Sequence, residues 1–163
     1  MPILNISAGG TNITVAKNTA LDLAPGSYGD LEVKDGAVLN LSSGTYAFED
    51  IELDKNATLN LDVTNGPIVV GSEDDLTIGK DVSMSSNGTA NEILFQVAGN
   101  QVKLSQNSVF LGTIVASNAF IDVHKDVMVT GALYGNKVHL KKNSSLIDLP
   151  AVRIYFDLYI HSP

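Results

Sequence analysis

The 163-residue chain has no cysteine and no tryptophan, and its only arginine is Arg153. Without cysteine there can be no disulfide framework and no thiolate zinc site. A single arginine beside a net charge of −8 argues against binding a phosphate backbone. Charged residues make up only 17% of the chain, well below the usual quarter, which excludes a disordered tail or a long solvated helix. No apolar run reaches the ~18 residues of a transmembrane span. The start, Met1-Pro2-Ile3-Leu4, has neither the basic nor the apolar region of a signal peptide. What is abundant is glycine, at 14 residues, and asparagine in equal number.

Those residues fall on a repeat. A nine-residue pattern begins at Ile13, Leu31, Ile51, Leu76, Val102, Ile121 and Val138. Its first and third places are apolar around a polar second place, which is strand alternation with one face buried. Its ninth place is apolar again: Leu21, Leu39, Leu59, Met84, Phe110, Val129 and Leu146. The sixth place is Asn18, Gly36, Asn56, Asp81, Asn107, Asp126 and Asn143. These residue types adopt positive φ most cheaply, so each copy reads as strand, left-handed corner, strand. A third short apolar stretch follows in most copies: Gly44–Phe48, Pro67–Val70, Ile93–Val97, Gly112–Val115 and Gly131–Tyr134.

Three short strands in each repeat, with no helix signal, predict an all-β chain: a single-domain parallel β-helix of about seven rungs. An antiparallel sandwich would show hairpin turns instead of one corner residue recurring at one place. The crossover rule makes right-handed winding the expected sense. Residues 1–12 are expected to form a cap or first partial rung, with Ile3, Leu4 and Ile6 as capping residues; 13–147 form the helix. Residues 148–163 are expected to form a strand that caps the last rung or pairs with another subunit. In it, Val152, Ile154, Phe156, Leu158 and Ile160 alternate with Arg153, Tyr155, Asp157, Tyr159 and His161. Tyr155, Phe156 and Tyr159 are the candidate interface residues.

The stretches Leu23–Leu31 and Leu41–Phe48, with the lysine-asparagine and lysine-aspartate corners, resemble β-helical domains of bacterial surface and pilus-associated proteins. Residues 91–147 also resemble the β-helix of the DUF3494-type ice-binding and adhesion proteins, through Ile93–Gly99, Gly112–Ala116 and Gly131–Gly135. The long helix of that family has no counterpart here. The resemblances rest on turn and core residues; they imply a fold and an envelope or extracellular setting, and carry no catalytic residue. A cytoplasmic location stays open at this point.

Stacked repeats arrange outward side chains in ladders. The second-place ladder is Thr14, Glu32, Glu52, Thr77, Lys103, Asp122 and His139, charged in five of seven rungs if His139 is counted, and so a poor surface for ice. Thr113, Val115, Ser117 and Tyr134 form a less charged candidate binding face. Asp122 is expected beside His139, and His124 beside Lys141, as polar surface pairs. Glu73-Asp74-Asp75 is expected to be a solvated acidic loop. No catalytic constellation, cofactor fingerprint or metal motif is legible. Segments 62–75 and 85–101, the longest insertions, carry Asn, Ser, Thr and Gly in place of acid–base groups. The six glycosylation-type triplets at Asn5, Asn12, Asn40, Asn56, Asn87 and Asn143 follow from asparagine corners beside Ser or Thr. The expected function is that of a non-catalytic structural or adhesive module of a bacterial surface. Ice binding and a self-assembling, bactofilin-like scaffold are the alternatives. The expected partners are the chain itself, end to end or through the C-terminal strand, or a surface or carbohydrate ligand, with no nucleic acid and no membrane insertion.

Overall fold

A computed structural model describes residues 5–147 and the backbone of 158–160. Over this range the chain winds as a parallel β-solenoid of about seven coils with three sides, here named A, B and C.

The coils follow the sequence repeat. The first holds β1 (Ile13–Val15), β2 (Ala20–Leu23) and β3 (Gly26–Ser27); the second holds β4 (Leu31–Val33), β5 (Val38–Ser42) and β6 (Gly44–Phe48). The third holds β7 (Ile51–Leu53), β8 (Thr58–Asp62) and β9 (Ile68–Ser72). In the fourth, β10 (Leu76–Ile78) and β11 (Ser83–Ser86) precede a single 3-10 turn, Ala90–Glu92, and β12 (Ile93–Val97). The last coils use β13 (Gln101–Leu104), two long strands, β14 (Val109–Val123) and β15 (Met128–Leu140), and β16 (Ser145–Ile147). β17 (Leu158–Ile160) then pairs with β15 in parallel, setting Leu158 on Val138 and extending side A past the seventh coil.

Every pairing is parallel and in register with the repeat. On side A, Thr14 pairs with Glu32, Glu32 with Glu52, Glu52 with Thr77, Thr77 with Lys103, Lys103 with Asp122 and Asp122 with His139. All seven corner residues take positive φ: Gly36 at 68° and Asn18, Asn56, Asp81, Asn107, Asp126 and Asn143 between 56° and 60°. The side chains at these corners also link coils. Asn107 donates to Asp81 at 3.1 Å and Asn143 to Asp126 at 3.1 Å, while Asn56 donates to Asp35 at 3.0 Å. The residue after the corner is buried in coils two to six, as Ala37, Ala57, Val82, Ser108 and Val127. Buried Ser108 satisfies its hydroxyl on the Ser105 carbonyl at 2.7 Å.

The core is one apolar column inside the coils, built from first-, third- and ninth-place residues and the third stretches. Phe95 and Phe110 meet at 5.0 Å between ring centroids, and Phe48 stacks on Tyr28 at 5.6 Å. Tyr46 is fully buried, yet its hydroxyl accepts from the Ser42 N–H and donates to the Ser42 and Leu23 carbonyls. A buried phenol is tolerated on that condition.

Two features differ from the simple three-strand rung. In the last coils the strands fuse, and β14 runs unbroken through side B, side C and side A. The bends from side B to side C occur at glycines: Gly112 and Gly131, stacked on each other, have φ of 133° and 135°, while the bend of β14 into side A lies at the register irregularity between Ala116 and Phe120. Backbone of that shape turns a corner while staying hydrogen-bonded on both flanks. Ile6 lies against Gly71 in the third coil, on side C; a Cβ at Gly71 would sit 2.9 Å from its Cγ1. Ile3 and Leu4 lie outside the described residues.

Candidate surface-binding site

The three sides present different chemistry, because each is sampled by different places of the repeat. Side A is ionic. Asp122 is its most connected member, with His124 Nε2 at 3.0 Å, Lys141 Nζ at 2.9 Å and His139 Nδ1 at 3.4 Å. Burial alone would push this carboxyl up, but Lys141, His124 and His139 outweigh it and hold the group below its ordinary value. Its Oδ1 is buried and accepts no hydrogen bond. Asp122 and His139 are register neighbours as the repeat requires, whereas His124 and Lys141 are joined through the same carboxylate oxygen. Phe120 stacks on His139 and lies 5.8 Å from Lys137 Nζ. Among the described residues no group of three or more His, Cys, Asp or Glu could hold a metal ion.

In the acidic loop, Glu73 accepts the Ala8 N–H at 2.9 Å, and Asp75 accepts the N–H groups of Asn100 and Gln101 at 3.1 and 2.9 Å. Those carboxylates hold backbone in place.

Side C is uncharged along its two outward columns. One runs Thr45, Val69, Leu94, Thr113, Ala132; the other runs Ala47, Gly71, Gln96, Val115, Tyr134. Thr113, Val115 and Tyr134 are therefore brought together, half-buried, with exposed Ser117 just beyond Ala116, the last residue before the register irregularity of β14. Much of the side is covered, however: Ala47, Gly71 and Ala132 are buried. Of the candidate interface residues, Tyr155 and Phe156 lie outside the described residues, and Tyr159 is placed only by its backbone, paired with His139.

Side B is both open and nearly uncharged. Its outward columns are Ala20, Val38, Thr58, Ser83, Val109, Met128, Ser145 and Asp22, Asn40, Asn60, Ser85, then Leu111, Thr130, Ile147, since β11 and β14 pair only at Ser83 and Val109. Adjacent columns stand ~6.6 Å apart and adjacent coils ~4.8 Å apart, which makes a flat grid. Asp22 is the one charge in these two columns, and Asp62, exposed at the end of β8, is a second charge beside them. Three of its residues are the exposed large hydrophobics of the described chain: Val109, Met128 and Ile147, the last two near half exposed. In its first coils the polar side chains are tied down by one another. Asn40 donates to Asp22 at 2.6 Å, Asn60 to Asn40 at 2.8 Å and Ser85 to Asn60 at 2.9 Å. Along the same coils runs a shallow trough of about 400 Å³ lined by Asp22, Leu23, Asn40, Leu41, Ser42 and Asp62. Hydrogen bonds from the Thr64 hydroxyl and N–H and from Asn87 hold the Asp62 carboxyl below its ordinary value.

The side-B columns escape a reading centred on the repeat's second place. Their signal was the eighth and tenth places, flanking the apolar ninth, where charge is absent from coil two onward.

Comparison with curated proteins and with solved structures gave no match. A family model described as ice-binding-like matches residues 3–145, which spans nearly all of the solenoid. The chain belongs to the ice-binding-like family.

Proposed function

We propose that this chain is a non-catalytic surface-binding module that works outside the cell and that side B is its ice-binding face. The observation that carries this reading is the grid of side B, whose two central outward columns hold one charge, Asp22, with Asp62 beside them at the end of β8. An ice face must be flat, rigid and weakly hydrated, since ionic groups bind water too firmly to release it into a lattice. Exposed Val109, Met128 and Ile147 hold first-shell water loosely and restrict its orientation. Thr58, Ser83, Ser85 and Thr130 offer hydroxyls between them to anchor ordered water. Stacked β-coils supply the rigidity. Family membership supports the same ligand.

The test is ice growth from a seed in the presence of the purified chain. Faceted crystals and slowed recrystallisation are expected. Ser85→Lys and Thr130→Lys, each placing an ammonium in the grid, should abolish shaping, while Glu52→Lys on side A should not. Round, freely growing crystals with the unaltered protein would overturn the reading.

The trough beside Asp22 and Asp62 favours a second reading, adhesion to a neutral carbohydrate. Carboxylates and amides facing a groove can take the vicinal hydroxyls of a sugar. Calorimetric titration with neutral oligosaccharides tests it; absence of heat across glucans, mannans and chitin fragments would dismiss it.

A further inference from the structure

Side A is the side whose charge is sorted along the rod. In coils two to four its outward places hold Asp30, Glu32, Asp50, Glu52, Asp54 and Asp75, against one cation, Lys34. In coils five to seven they hold Lys103, Lys137, Lys141 and two histidines, His124 and His139, against one anion, Asp122. The anionic half is crowded. At Asp50, partial burial raises the carboxyl above its ordinary value, and the charges of Asp75 and Asp30 push in the same direction. A face with one anionic and one cationic half is complementary to itself when turned end over end.

We infer that two copies of this chain pair antiparallel, side A against side A, about a two-fold axis that runs along the strands at the fifth coil. Such an axis reverses the rod but keeps every residue in its own column. Asp50, Glu52 and Asp54 of coil three then face Lys137, His139 and Lys141 of coil seven, in that order, and the reciprocal contact repeats across the axis. The contact is isologous, as closed dimers are. Lys103 meets its own copy on the axis, beside Asp122 of the next coil, and is the one like-charge pair placed directly opposite, while Glu52 stands one coil from the second copy's Asp122.

The area sets the strength. Five coils by three outward columns cover roughly 24 by 13 Å, so both partners together bury about 600 Å². Stable complexes bury ~1,200–2,000 Å². Association is therefore weak, driven by charge and sensitive to salt, because exposed charges are screened beyond ~8 Å at physiological ionic strength. Side B stays uncovered in both copies.

Sedimentation velocity of the full chain at high protein concentration, in low and in high salt, tests the pairing. Dimer mass is expected in low salt and monomer in high salt. Asp50→Lys with Glu52→Lys in one variant, and Lys137→Glu in another, should each weaken self-association on the order of tenfold or more. Mixed in equal amounts, the two variants should recover a dimer, which also shows that both are folded. A monomer in low salt would overturn the inference. So would association that the charge reversals leave unchanged, including end-to-end species longer than a dimer, or a mixture that fails to recover.

Discussion

Gly66 and Gly131 share one backbone shape and differ in what surrounds it, so the pair separates two contributions to corner stability. Their φ angles are 130° and 135°. A Cβ at Gly66 meets no atom within 4 Å, whereas at Gly131 it lies 2.6 Å from the Gly112 carbonyl carbon and closer still to that oxygen. Backbone of this kind costs about 1–3 kcal/mol for a residue with a side chain. Gly66→Ala should lose about that much, less the ~0.4–1 kcal/mol gained by stiffening the unfolded chain. Gly131→Ala carries the same terms and adds overpacking against backbone that cannot swing aside, worth about 1–3 kcal/mol more. The expected gap between the two variants is about 2 kcal/mol, or ~1 M in urea midpoint at a slope of ~2 kcal/mol/M. Far-UV circular dichroism of urea unfolding reads both midpoints. Gly112→Ala should fall between them, since its Cβ would lie 2.8 Å from the Ile93 Cγ2 atom and 3.1 Å from the Ile93 carbonyl oxygen, a lighter clash than the one at Gly131. Equal midpoints for Gly66→Ala and Gly131→Ala would refute the view that direct stacking of corners decides the cost.

Three further outcomes are expected. Phe95→Ala removes a fully buried ring packed on Phe110 and should cost about 3–5 kcal/mol by chemical unfolding, with a wild-type-like midpoint counting against a close-packed column. Asp122 has a lowered folded value, so its stabilisation is present above its ordinary value of 3.8 and lost as pH falls through the lower folded one. Asp122→Asn should therefore be less stable than the parent at neutral pH and converge with it in strong acid; parallel curves would contradict the assigned role of Lys141 and the two histidines. Asp50 is raised and has the opposite sign: its ionised form is disfavoured in the fold above pH 3.8. Asp50→Asn should then raise the unfolding midpoint at neutral pH and lose that advantage in acid.

What could be read from the sequence was what local chemistry enforces. Asn18, Asn56 and Asn143 announce left-handed corners because few other residues take that shape cheaply, and the alternation around Glu32 or Glu52 fixes which side chains point inward. With corners and faces both set, the register follows, and Asp122 must stack on His139. Sequence could not show what lies over a face. Ala47 and Gly71 sit at outward places of side C but are buried, and Ile6, far away in sequence, is what rests on Gly71. Thr113, Val115, Ser117 and Tyr134 read as a less charged face because sequence gives charge and not cover, whereas Ser83 and Met128 on side B are more exposed than Thr113 and Val115. Nor do periodicities reveal that one strand can turn two corners, as β14 does at Gly112 and at the register irregularity between Ala116 and Phe120. Convergence of His124 and Lys141 on one oxygen depends on rotamers, which the repeat does not specify.

The hydrogen bonds between coils run along the rod; Ile13 opens the first coil at one end and Ile147 closes the last at the other, while residues 6–8 lie back against the third coil. Tension applied through the two ends therefore loads the rows one at a time, as in a zipper, instead of shearing them together. Each coil that peels away exchanges ~4.8 Å of rod for the contour of its own residues, some ~60 Å for a coil of about eighteen. Held between an anchor and a surface, this protein would yield at low force over a long distance, absorbing jolts by paying out line.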